Sequence, residues 1–371
     1  MDLSLASKSW VCLENVEDPR LERNRLHKLI DILVVALCGF LAGCESWADV
    51  ELFGKAKREW LEKFLELPNG IPSHDTFGRV FALLKPERLV PVLQEFVRTI
   101  TGSLQGETIA IDGKTLARSG DSDKKALHLV SAWATQHGVV LGQFATAEKS
   151  NEITAIPELL KILDVRGATV TIDAMGCQKA IAQQVRDQGG HYVLAVKGNQ
   201  KNLHQMLKFY FGRGHQHRQR SKLTTRDKNH GRKERRSYTV LKAPTAVSRH
   251  WPDAQSIVRV CRQSSAQGKK SEEERFFISD LAPDAEELAR SIREHWGIEN
   301  QLHWSLDVTF NEDQSRIRQG HSAENAALLR RLALSILKQD TRYSHSLRGK
   351  RLRAGWDESA LEHFLSIFTG N

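Results

Sequence analysis

The stretch that most constrains this chain is Gly167 to Gln200, GATVTIDAMGCQKAIAQQVRDQGGHYVLAVKGNQ. It opens on a β-branched apolar run, Ala168 to Ile172, that stops at a carboxylate, Asp173. A helical segment follows, with Ile181 and Val185 one turn apart, and Gly189 and Gly190 end it. A second apolar run, His191 to Val196, delivers Lys197. Strand, helix and strand in this order predict a right-handed crossover between parallel strands. Asp173 and Lys197 then both stand at the carboxyl ends of strands, the edge at which open α/β sheets hold ligands. An acid and a base directed at one sheet edge make a candidate site.

The segments before it extend the same pattern. Thr108 to Ile111 is a short β-like run ending at Asp112, followed by Gly113 and Lys114. Leu127 to Thr135 and Val139 to Ala147, joined at Gln136-His137-Gly138, read as a hairpin. Asn151 then caps a helix carrying Ile156, Leu159, Leu160 and Leu163, and Leu203 to Phe211 adds a further helix after Lys197. The order of three strands, helix, strand, helix, strand, helix fits an α/β fold of the ribonuclease-H-like kind, a mixed sheet flanked by helices. In that fold the first and fourth strands are central neighbours, which predicts Asp112 beside Asp173.

Four regions are expected along the chain: a helical N-terminal DNA-binding or associated domain (1–104), the first part of the core (105–211), a basic and β-rich insertion (212–283), and a helical completion with a basic tail (284–371). In the first, Leu29, Ile30, Leu33, Val34, Leu37 and Leu41 recur at helical spacing. Ile30 to Gly43 contains Asp31 and is short for a bilayer, so a buried core helix is expected and no membrane partner. Trp47 to Phe64 reads as a second helix. Ser73 is a natural N-cap for a third, whose His74, Thr76 and Arg79 suit either a helix-turn-helix reader or an ordinary bundle.

The net charge of +9 points toward an anionic partner. Much of the excess lies in Gly212 to Arg236, where ten Lys and Arg face only Asp227 and Glu234. A run so asymmetric, without an apolar period, reads as a footprint for a polyanion, and Arg232, Lys233, Arg235 and Arg236 are its candidate phosphate contacts. Glu234 is expected to pair with an arginine. Tyr238 to Leu241, Ser256 to Cys261 and Arg275 to Ile278 are β-like. Ala285 to Leu306 reads as one long helix with His295, Glu299 and His303 at i, i+4 and i+8. A Leu-patterned helix from Ser322 to Lys338, the basic stretch Arg348 to Arg353 and a last helix complete the chain. Five scattered cysteines without a CxxC pair argue for a reducing compartment and against a disulfide framework or zinc ribbon. The first ten residues lack the basic and apolar regions of a signal peptide. HExxH is absent, which removes a hydrolytic zinc reading of the histidines.

Two aspartates at adjacent strand ends, with a glutamate from a later helix, form a carboxylate cluster whose mutual repulsion divalent cations relieve. Mg²⁺ prefers such oxygens together with waters and substrate phosphates. Two ions about 4 Å apart clamp the attacking and leaving oxygens of an in-line phosphoryl displacement. The motifs AIDGK (Ala110 to Lys114), TIDAMG (Thr171 to Gly176), VKGNQ (Val196 to Gln200), HGRKERR (His230 to Arg236) and REHWGIENQLHWSLDVTFNED (Arg293 to Asp313) resemble those of DDE transposases of bacterial insertion sequences, in the H-repeat-associated branch. DPRLERNRLHKLIDILVVALCGFLAGC resembles that branch's associated N-terminal domain, so the resemblance covers nearly the whole chain.

The resemblance implies a catalytic and metal-binding triad of Asp112, Asp173 and Glu299, two Mg²⁺ ions with Mn²⁺ as a substitute, and a transposase that cleaves its element's ends and joins them to target DNA. It implies terminal repeats and target duplex as partners, a homodimer assembled on DNA, and a cytoplasmic, nucleoid-associated setting. The wider superfamily surrounds its glutamate with Tyr, Arg and Lys. Ile292, His295 and Leu306 stand there instead, so Lys197, His295 and His303 are the candidate phosphate ligands near it, with Lys114 beside the first aspartate. Two alternatives stay open: a nuclease of the same fold without strand transfer, and a non-catalytic DNA-binding derivative.

Overall fold

The computed structural model describes residues 11–120, 125–146, 151–212, 220–229, 232–266 and 269–369. The N-terminal decapeptide read for a leader lies outside them, as do 213–219, His230 and Gly231 of the basic run. In chain order the main elements are helices α1 (Leu29–Leu41), α2 (Trp47–Ala56), α3 (His74–Leu83) and α4 (Val90–Thr101), then strands β1 (Thr108–Thr115), β2 (His128–Ala134) and β3 (Val139–Thr146). Next come α5 (Glu152–Lys161), β4 (Thr169–Ile172), α6 (Lys179–Asp187), β5 (His191–Val196) and α7 (Lys201–Phe211). Four strands follow, β6 (Arg220–Asn229), β7 (Arg232–Lys242), β8 (Ser256–Ala266) and β9 (Lys269–Ser279). Helices α8 (Ala285–His295), α9 (Trp304–Val308), α10 (Ser322–Gln339), α11 (Leu347–Trp356) and α12 (Glu358–Thr369) close the chain.

Two compact units are assembled from discontinuous segments. The first takes Met1–Ser103, Gly113–Asn151 and Glu299–Asn371; the second takes Leu104–Asp112 and Glu152–Ile298.

In the first unit α1 is apolar all round because it is enclosed: every residue but Ile30 is buried. Asp31 is tolerated there because its carboxylate accepts the Leu67 backbone N–H at 3.1 Å, and burial still raises its pKa. No described helix is long and apolar enough to cross a membrane. Trp47, at the start of α2, stacks on Phe81 at 4.5 Å and donates to Ser322 Oγ. Asn325 of α10 donates to the carbonyls of Phe81 and Leu84, where α3 ends. Helix α3, capped by Ser73 as expected, is therefore a bundle member packed through Phe77, Val80 and Phe81. The helix expected over Trp47 to Phe64 breaks at Lys57, whose φ of −109° and ψ of 17° leave the helical region.

The second unit holds the expected crossover. Strands run β1-β4-β5-β9-β8-β7-β6, with β1, β4 and β5 parallel and the rest antiparallel. The α/β architecture with its mixed sheet is the one read from the sequence. The β-rich segment is larger than the short runs suggested: β6 spans 10 residues and β7, β8 and β9 span 11 each. The basic run is strand rather than loop over the described part. Helix α8 buries Leu288, Ala289 and Ile292 against Tyr238, Val240, Val258 and Phe277 on one sheet face. On the other face α7 brings Phe211 to within 5.9 Å of Phe276.

Candidate active site

Strands β1 and β4 pair in parallel with Ile111 opposite Ile172. The next residues are Asp112 and Asp173, so two carboxylates leave neighbouring strand ends side by side. Because side chains alternate along a strand, Thr108 and Asp112 share a sheet face, as do Thr171 and Asp173. The last turn of α8 reaches that face. Glu294 accepts a hydrogen bond from Thr108 Oγ1, and His295 Nδ1 lies 3.0 Å from Thr171 Oγ1.

The loop after β4 holds Asp173 in one orientation. Its Oδ1 accepts the backbone N–H groups of Met175 at 2.9 Å and Gly176 at 3.4 Å, an Asx-type turn. A Cβ on Gly176 would stand 2.3 Å from Ile172 Cγ2, so only glycine lets this turn fold back on β4. Asn199 donates to the Ala174 carbonyl and Gln200 donates to the Cys177 carbonyl at 2.8 Å. These two amides, quoted within VKGNQ but given no role from sequence, brace the Asp173 loop from the end of β5. Lys197 is exposed beside them.

His295 does not offer a cation here. Burial pushes its pKa down to about 4 against the opposing pull of the Asp173 charge, so the imidazole is neutral near pH 7. The continuous helix expected through Glu299 is also absent. α8 ends at His295, a π-helical turn spans Ile298–His303, and α9 follows. Glu299 and His303 therefore lie on the π turn, outside α8. Glu299 is exposed and His303 half-buried on that turn.

In the first unit Lys114 is committed elsewhere. Its ammonium lies 2.8 Å from Asp307, 2.6 Å from Asp313 and 3.8 Å from Glu312, with the side chain only 8% exposed. Glu312 in turn meets Arg331 at 2.8 Å, both fully enclosed. Lys114, expected to contact phosphate beside the first aspartate, here has its charge met by three carboxylates. Arg236, also expected to contact phosphate, is engaged in a similar way. It is buried in β7 and pairs with Asp227 and with Glu234 at 2.6 Å. Glu234 finds its expected arginine partners in Arg236 and Arg262. Lys233 and Arg235 are exposed, while the Arg232 side chain lies outside the description. Of the basic stretch Arg348 to Arg353, Lys350 turns inward to Asp340 and Arg351 to the Phe40 carbonyl.

Carboxylate oxygens at two adjacent strand ends are the donor chemistry a hard divalent cation takes. Among the described residues no group of three or more His, Cys, Asp or Glu is arranged to hold a metal ion.

Comparison with known proteins bears on this geometry. The family described as "Transposase DDE domain" matches residues 103–336, and the one described as "DDE_Tnp_1-associated" matches residues 10–97. The "H repeat-associated putative transposase YhhI" of Escherichia coli (strain K12) is 39% identical over 350 residues, 92% of this chain and 93% of that one. The "Putative transposase YncI" of Escherichia coli O157:H7 is 38% identical over 360 residues, 95% and 92% of the two chains. Among solved structures, a piggyBac transposase synaptic complex with hairpin DNA is similar at a TM-score of 0.43 and 12% identity, over 98% of this chain and 80% of that one. A likeness of that size carries no argument.

Proposed function

Because the chain belongs to the DDE transposase family, we propose that it binds the ends of a mobile DNA element, cleaves there and joins the cut ends to target duplex. The observation that carries this reading is the pairing of β1 with β4, which sets Asp112 next to Asp173 at one sheet edge. Asp112, Asp173 and Glu299 are the residues proposed to hold divalent metal, Mg²⁺ by the hardness of their oxygens. Bound there, the metal would supply charge neutralisation for the phosphodiester and an activated attacking oxygen.

The chain's own groups do the rest. The Met175 and Gly176 amides hold the Asp173 carboxylate in one orientation. Asn199 and Gln200 restrain the loop that carries those amides. The neutral His295 ring positions Thr171 beneath Asp173 and adds no competing positive charge. Exposed Lys197, at the end of β5, is the proposed contact to the phosphate beside the scissile bond, with His303 as a second.

The test is Asp173→Asn with duplex carrying the element ends. Cleavage in Mg²⁺ should vanish while duplex affinity stays within a few-fold, because affinity rests on Lys and Arg contacts. Undiminished cleavage by the variant would remove Asp173 from the mechanism. Joined product in the wild-type reaction separates a transposase from a nuclease of the same fold, which would leave only cut ends.

A further inference from the structure

The four antiparallel strands overhang the edge that carries the paired aspartates. Only Phe276 to Ser279 of β9 pair with β5, and Val196 at the end of β5 faces Phe276. Residues Lys269 to Arg275, with their partners in β8, β7 and β6, therefore extend past the strand ends in the direction of Lys197. At about 3.3 Å per residue, the row through Glu272, Gln263, Arg235 and Arg226 lies about 13 Å beyond that edge. The row through Lys270, Ser265, Lys233 and Lys228 lies about 20 Å beyond it.

The two faces of this ribbon differ in how their charge is met. On the face shared with α8, Arg236 pairs with Asp227 and Glu234, Arg262 with Glu234 and Glu273, and Arg275 with Glu273. That face is internally neutralised. On the opposite face Arg226 stands directly across from Arg235, and Lys228 directly across from Lys233. All four are exposed, and Lys222 is exposed on the same face nearer the base. Like charges directly opposite on a ladder destabilise a sheet. Two consecutive such rows on one face, above a face so thoroughly paired, are a charge distribution that a polyanion completes. A groove of about 780 Å³ lies at this end of the ribbon, where Arg226, Lys228, Lys233, Arg235 and Lys270 outnumber the carboxylates Asp227, Glu234 and Glu272 that also line it.

We infer that the face formed by Lys222, Arg226, Lys228, Lys233 and Arg235 tracks the phosphate backbone of duplex DNA on one side of the cleavage point, and that Arg236 and Arg262 behind it hold the ribbon together. The inference rests on the DNA-transposition reading and gives it a docking surface. It also divides the basic run by face: Arg226 and Lys228 join the DNA contacts, and Arg236 leaves them.

The experiment measures affinity for a mixed-sequence duplex by fluorescence anisotropy across a salt series, with Mg²⁺-dependent cleavage of end-containing duplex followed in parallel. The single variants Arg235→Gln and Arg236→Gln change net charge equally and differ only in the face they alter. Arg235→Gln should lower the slope of log affinity against log salt by about 0.9, and Arg236→Gln should leave it unchanged. The quadruple variant Arg226→Gln/Lys228→Gln/Lys233→Gln/Arg235→Gln should lower the slope by about 3.6. Its melting temperature should be equal to or above wild type at low salt, because the like-charge rows are gone, whereas Arg236→Gln should melt lower. Equal slopes for Arg235→Gln and Arg236→Gln, in a protein that still cleaves, would overturn the docking surface and leave the function standing. A wild-type protein that neither binds nor cleaves duplex would overturn both.

Discussion

Glu312→Gln tests the buried network of the first unit. The Glu312 carboxylate meets the Arg331 guanidinium at 2.8 Å and the Lys114 ammonium at 3.8 Å, and neither Glu312 nor Arg331 is exposed to water. Arg331 has few other acceptors: Ser131 Oγ at 3.3 Å and the Ala327 carbonyl at 3.2 Å. A neutral amide can still hydrogen-bond to Arg331, but it leaves one buried positive charge uncompensated. Removing one partner of a buried pair costs about 3–5 kcal/mol. Native proteins have only about 5–15 kcal/mol to lose. At about 2–4 °C per kcal/mol for a unit of this size, melting should fall by roughly 6–20 °C. Arg331→Met should do comparable damage, because it leaves the buried Glu312 carboxylate only the Lys114 ammonium at 3.8 Å. The double variant Glu312→Leu/Arg331→Met removes both charges and should melt above either single, since apolar replacements of whole buried pairs are commonly neutral or better. Thermal unfolding of wild type, Glu312→Leu, Arg331→Met and the double variant closes a double-mutant cycle. A Glu312→Gln loss under about 1 kcal/mol, or a double variant less stable than both singles, would refute the claim that compensation of buried charge controls this site.

Glu324 gives a pH-dependent prediction. Burial raises its pKa from 4.5 to about 7, and nearby Glu87 adds to the rise. The folded protein therefore favours the protonated acid, so this contribution to stability is complete below about pH 4.5 and is lost as pH rises through about 7. Glu324→Gln should match wild type in thermal melting at pH 4 and exceed it at pH 8; an unchanged difference between those pH values sinks the reasoning. Gly176→Ala places a methyl group 2.3 Å from Ile172 and 2.9 Å from Ile156. Overpacking of this kind costs about 1–3 kcal/mol. It should lower cleavage more than duplex binding, because the displaced turn carries the amides that hold Asp173; equal losses in the two assays would argue for global damage instead.

The paired aspartates were legible because their signal is local. An apolar β-branched run that stops at a carboxylate marks a strand end, and two such runs linked through a hairpin and a helix imply neighbouring strands. The ribonuclease-H-like strand order put those two strands side by side, and the structure supplied the register of Ile111 with Ile172. The charged residues were a different matter. Lys114 and Arg236 are as basic in sequence as Lys197 and Arg235, and nothing beside them in the chain says which are available. Lys114 is neutralised by Asp313, 199 positions away, and Arg331 is held by Glu312 and Ser131, the latter 200 positions away. The two faces of β6 and β7 were invisible to hydrophobic periodicity because both faces are polar at the far end. Only the register, which sets Arg226 across from Arg235 and Asp227 across from Glu234, separates them. Ionic availability is a property of the neighbours a side chain meets after folding, and for this chain those neighbours are supplied by tertiary contact.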